Sequence, residues 1–285
     1  MTAALSAGCA FIAFSPAVAL LFIMAYSKAH LIIVVTISAF TYLLSILTSS
    51  LVWFAFKSLL KSTSASAAFI IPTSVTIQTL FRCGFVLLYH RVELVIQKSI
   101  EHHERMDSYN EGGEGSAQST MDNPRRNEMS QTARLRLEIN DFSCGLAAGL
   151  GYGGMHTIML YGTLLASESD RWGTLYQTSC SFIPSLANAA VIAVFFFFLD
   201  IAWMILTFYG MRKLTSSSGF DQSSSGGVIR GTMAIISVLL LHIAASCVTL
   251  INELRDDGCK VSLPILGVFA AAMIFLVFSL RYHMT

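Results

Sequence analysis

Long apolar stretches and short polar segments alternate along the chain. Seven stretches are continuously apolar: residues 3–26, 31–56, 67–89, 143–165, 182–209, 231–250 and 262–280. Each is about as long as the roughly 17–25 residues a helix needs to cross a bilayer core. A transmembrane β-barrel would show shorter segments of alternating character. A soluble bundle would show one apolar stripe per helix. The pattern predicts an all-α fold: a seven-transmembrane-helix bundle forming one polytopic domain over 1–285. The segment 93–141 is the one long connection. It begins as a helical extension over 91–105, turns Gly-rich and polar at 111–115 and ends in a short surface helix at 132–139. Its middle reads as disordered. A Ser/Gly-rich stretch at 215–227 reads as a linker.

Composition sharpens this picture. Hydrophobic residues make up 54% of the chain and charged ones 12%, about half the soluble share. Within the seven stretches only Arg82 and Asp200 are charged. A soluble enzyme, a nucleic-acid-binding domain and a disordered protein are excluded. Lys and Arg favour an outside (lumenal) N-terminus and a cytosolic C-terminus, because twelve then lie in inside segments and five outside. The first stretch lacks the basic start and short core of a signal peptide and reads as a span. No Asn-x-Ser/Thr acceptor occurs.

The six cysteines form no CxxC pair, so no metal or redox motif is expected. Cys83, Cys144 and Cys247 read as buried thiols within or beside spans. Cys180 and Cys259 fall in two outside loops, where an oxidising compartment permits a disulfide. Their Cα separation decides whether one forms.

The fourth stretch holds Gly145, Gly149 and Gly153, four apart on one helix face. Each glycine costs about 1 kcal/mol relative to alanine in an ordinary helix. Close backbone approach in a membrane supplies the compensating contact. The stripe is therefore a candidate helix-packing and assembly surface, internal or external. His156 follows at the outer end of nearly the same face.

Arg82, Asp200 and His242 lie nine to twelve residues from flanking arginines, about 14–18 Å from the inner boundary at 1.5 Å per residue. A charge there costs at least about 2.5–3.5 kcal/mol, so partners or a water cavity are expected. Gln78 stands one turn before Arg82, and Gln78, Arg82, Asp200 and His242 form a candidate intramembrane polar network. Asp200 is expected to pair with Arg82, His242 or both. No catalytic residues, cofactor or metal are expected. Zinc needs three or four ligands, and His156 and His242 read as lying at different depths. An aspartyl protease needs two aspartates. No G-x-S-x-G occurs.

These residues resemble a family, the anterior-pharynx-defective subunit of γ-secretase. The resemblance runs through all seven stretches. It is carried by Gly8-Cys9 through Pro16, Ser50 through Trp53-Phe54, Gln78-Thr-Leu-Phe-Arg82, the spaced glycines, and Leu241-His242 through Asn252. It implies a non-catalytic scaffold that assembles with nicastrin, presenilin and the presenilin enhancer subunit in the bilayer, without nucleic acid. It also implies the membranes of the endoplasmic reticulum, Golgi, endosomes and cell surface, and a place in Notch signalling. This chain departs from the family twice. Asp200 stands where the family carries a span-five histidine, and Thr79 where it carries a carboxylate. The rival readings are a seven-span receptor, which would lack its Asp-Arg-Tyr and Asn-Pro-x-x-Tyr motifs here, and a small transporter or channel, which the polar set alone supports.

Overall fold

In lipid a backbone must satisfy its own hydrogen bonds, so uncharged apolar runs of this length fold as helices. The computed structural model describes residues 3–27, 29, 31–57, 63–111, 141–168, 176–177, 180–216, 225–254 and 257–281. The helices are α1 (Ala3–Ser27), α2 (Leu31–Phe56), α3 (Thr63–Glu111), α4 (Asp141–Thr157), α5 (Thr163–Glu168), α6 (Ser185–Ser216), α7 (Ser225–Leu254) and α8 (Cys259–Arg281). Six of them, α1–α3 and α6–α8, are long and apolar enough to cross a membrane, which makes this a multi-pass membrane protein.

The stretch at 143–165, expected as one uninterrupted span, is helical from Asp141 to Glu168, with a π turn at Ile158–Gly162 between α4 and α5. The extra residue in a π turn re-phases the helix. It brings Tyr161 into a buried cluster with Cys9, Ala13, Leu186 and Ala190.

The fold is also not purely helical. β1 (Tyr176–Gln177) pairs antiparallel with β2 (Cys180–Pro184). Proline drives the residue before it to extended backbone, so Phe182 and Ile183 belong to β2. The helix of the fifth apolar stretch therefore starts at Ser185 rather than at 182. The helical extension expected to residue 105 runs to Glu111. The expected surface helix at 132–139 and most of the 215–227 linker lie outside the described residues.

α6 is the axis of the bundle. It packs against α1, α3, α4, α7 and α8. Two thirds of its apolar window (67%) is buried inside the chain, against 17–28% for the other five spans, whose outer faces are left for lipid or partners. Trp203, Phe197 and Phe208 are almost fully buried there.

α4 is wedged between α6 and α2, and its glycines make that possible. A Cβ on Gly149 would lie 2.6 Å from the Cα of Ile201, and one on Gly153 would lie 2.9 Å from the Phe197 carbonyl oxygen. Gly145 meets Ile205 at 3.2 Å. The stripe expected to pack a helix thus packs α6 of the same chain. Gly151 points the other way, and its Cβ would sit 2.1 Å from the Val35 carbonyl oxygen on α2. A second crossing pairs Gly210 of α6 with Gly231 of α7. Cys180 is disulfide-bonded to Cys259, with Cα atoms 5.5 Å apart, which ties β2 to the first residue of α8.

Backbone-to-backbone packing of this kind has no slack. Gly149→Ala should destabilise the chain by about 1–3 kcal/mol through overpacking. Gly154→Ala meets nothing within 4 Å and should be neutral or stabilising. Thermal unfolding of both variants in detergent checks this, and equal melting temperatures would contradict it.

Candidate functional site

The polar residues of the apolar stretches meet at one place in the bundle. Arg82 on α3 and Asp200 on α6 are fully buried, and His242 on α7 is 2% exposed. The Arg82 guanidinium donates through one terminal nitrogen to Asp200 Oδ1 and through the other to His242 Nδ1 at 3.1 Å. His156 on α4 reaches the second oxygen of Asp200, with Nδ1 to Oδ2 at 2.6 Å. The order of contacts is His156, Asp200, Arg82, His242. Four helices are linked by three bonds.

Donor and acceptor chemistry fixes the ring nitrogens. A carboxylate only accepts, so His156 carries its proton on Nδ1. A guanidinium only donates, so His242 Nδ1 is bare. Asp200 spends both oxygens, one on each partner.

Aromatic faces enclose the cation. The guanidinium carbon lies 4.4 Å from the centre of the Tyr152 ring and 5.3 Å from that of Trp203. Cation–π attraction is strongest where water is excluded, about 2 kcal/mol or more. Trp203 stacks on His242 with centroids 4.1 Å apart, and Tyr42 stacks on His156 at 5.1 Å. Both histidine rings are thereby held in plane by a neighbour.

Beside this chain of contacts lies a cavity of about 760 Å³ between α3, α4, α6 and α7. Gln78, His156, Asn188, His242 and Thr249 line it. It is large enough for several waters or a small polar ligand. Gln78 is half-buried at its wall, and its side-chain oxygen has no partner among the described residues. Among the described residues, that oxygen takes no hydrogen bond from the ionic pair. The Gln78 backbone oxygen accepts from the Tyr152 hydroxyl at 3.2 Å. Thr79 is buried and turns its hydroxyl back to Val75 of its own helix at 2.8 Å.

Reading depth from sequence left His156 out of this set, and the structure brings it in. His156 lies fifteen residues past Asp141, and Asp200 lies twelve before Arg212. Asp141 and Arg212 are themselves paired. The two levels differ by three residues, or about 4.5 Å. Side chains span that gap. Asp200 meets Arg82 directly and His242 only through it.

The glycines serve the same geometry. Gly153 lies against Phe197 and Asp200, one turn before His156, so the close approach carries the imidazole to the carboxylate.

A second ionic cluster escaped sequence reading. Arg212 on α6 donates from Nε to Asp141 Oδ2 at 2.7 Å and from a terminal nitrogen to Glu93 Oε2 at 3.0 Å. The signal was available in the boundary residues. Glu93, Asp141 and Arg212 each stand just beyond an apolar stretch, at ends that topology places together.

A family model described as "Aph-1 protein" matches residues 4–283. The chain belongs to the Aph-1 family. It is also similar to an Arabidopsis thaliana protein described as "Gamma-secretase subunit APH1-like", with 27% identity over 272 residues, covering 95% of this chain and 90% of that one. The Aph-1 match spans every element described here, from α1 through α8. In this Aph-1 member the α6 aspartate, Asp200, does not sit idle where the resemblance led to a histidine being expected. It is the carboxylate that neutralises Arg82.

Both histidines bond a buried charged group, and such bonds are worth about 1.5–3 kcal/mol. His156→Phe leaves an Asp200 oxygen without its donor and His242→Phe leaves an Arg82 nitrogen without its acceptor, so each should cost about 1.5–3 kcal/mol. Melting of the two variants in detergent checks this, and wild-type melting of either would contradict the bonding order.

Proposed function

We propose that this chain is the non-catalytic scaffold subunit of a γ-secretase complex, stabilising presenilin and nicastrin and, through presenilin, the presenilin enhancer subunit. The observation that carries this reading is the Aph-1 match over residues 4–283. The similarity to a protein described as a γ-secretase subunit supports it. The chemistry of the buried site supports the absence of proteolysis by this chain. Asp200 has both oxygens engaged, and an aspartyl protease works with two carboxylates that share a proton.

The proposed orientation is N-terminus lumenal and C-terminus cytosolic, in the membranes of the secretory pathway and cell surface. A disulfide belongs on the oxidising side. The end of the bundle with Cys180–Cys259 also holds the start of α1, because Cys9 and Ala13 cluster with Leu186 and Ala190. Arg212 and Lys213 lie at the far end of α6, on the side where positive charge accumulates.

In this account the glycine stripe contributes to assembly from within. It holds α4 against α6, and partners meet the outward faces of the other helices.

The test is affinity purification of the tagged chain from its own cells. Presenilin and nicastrin should co-purify, and membranes lacking the chain should lose substrate cleavage. Cleavage of a transmembrane substrate by the purified chain alone, abolished by Asp200→Ala, would overturn the proposal.

A further inference from the structure

The cluster around Arg212 holds more acid than base. Glu93 and Asp141 carry two negative charges against one positive, which leaves one charge unbalanced. His90 stands one turn before Glu93 on the same face of α3. It is only 5% exposed, and neither ring nitrogen has a partner among the described residues. Its surroundings are aromatic, with Phe208 and Tyr89 packed edge-on. One ring nitrogen of His90 and one oxygen each of Glu93 and Asp141 all lie within 4.8 Å of one another.

We infer that His90, Glu93 and Asp141 form a binding site for one divalent transition-metal ion of the zinc class. The donor set is one imidazole and two carboxylates, which zinc accepts, with a fourth position left for water. Tetrahedral ligation at about 2.0–2.1 Å places ligand atoms about 3.4 Å apart, so the side chains close by about an ångström on binding.

Arg212 bonds all four carboxylate oxygens of Glu93 and Asp141. Each oxygen keeps a second lone pair for the ion. With the ion bound, Arg212 stays hydrogen-bonded to the two ligand carboxylates, as groups beyond a metal's own ligands do. The side chains of Glu93 and Asp141 are 22% and 16% exposed, so an ion can enter from solvent. Bound there, it fastens α3 to the first turn of α4. No spacing motif announced this site, because Asp141 lies 48 residues beyond Glu93.

The experiment uses the full chain purified in detergent, stripped with a chelator, incubated with Zn²⁺ and freed of excess by gel filtration. Metal content is read by mass spectrometry and stability by thermal melting. The wild type should retain stoichiometric zinc and melt higher with zinc than without. His90→Ala and Asp141→Asn should each weaken retention by about 10–100-fold or more. His102→Ala, an exposed histidine on the same helix, should match the wild type. Equal retention by wild type and His90→Ala, or no retention by wild type, overturns the proposal. If His90→Ala does not fold, X-ray absorption at the zinc edge of the wild type decides. One imidazole with oxygen ligands supports the site, and sulfur or several imidazoles overturns it.

Discussion

A guanidinium with no exposed surface must be neutralised where it sits, and that requirement organises this bundle. Arg82 lies on α3 and cannot reach water. Its counter-charge, Asp200, is carried by α6, which packs against α1, α3, α4, α7 and α8. The lone acid and lone base of the apolar stretches therefore meet at the centre. His242 and His156 add hydrogen bonds from two further helices, and Arg82 Nε has no partner among the described residues. Each partner is paired, which is the condition under which a buried ion pair is tolerated.

The glycines of α4 are the steric counterpart of that electrostatic constraint. Gly149 and Gly153 let α4 come into backbone contact with α6, and Gly151 lets it contact α2. A wider spacing would withdraw His156 from Asp200 and Tyr42 from His156. The packing and the polar contacts thus depend on one another. The cavity beside them follows from the same arrangement, since polar side chains that serve the pair also give its wall hydrogen-bonding groups.

Much of this was legible in the sequence because a membrane forces charge and length to be informative. Two charged residues among so many apolar ones had to be partners, and the stripe of glycines had to meet a helix. The disulfide's two cysteines stood out because both fell in outside loops. What sequence could not supply was relative height between helices. His156 was left out of the network because its level differs by three residues, a gap that side chains bridge. The π turn and the last residues of β2 were hidden because both sit inside apolar runs, where composition does not register a change of backbone. The Arg212 cluster was missed because its members are distant in sequence and ordinary as single boundary charges.

The central claim is that Arg82 and Asp200 are one buried pair rather than two independent charges. A double-mutant cycle with Arg82→Met and Asp200→Leu, read as thermal stability in detergent, tests it most directly. Each single change strands a buried charge and should cost about 3–5 kcal/mol, whereas the double change should cost less than either. Losses that simply add would contradict the account.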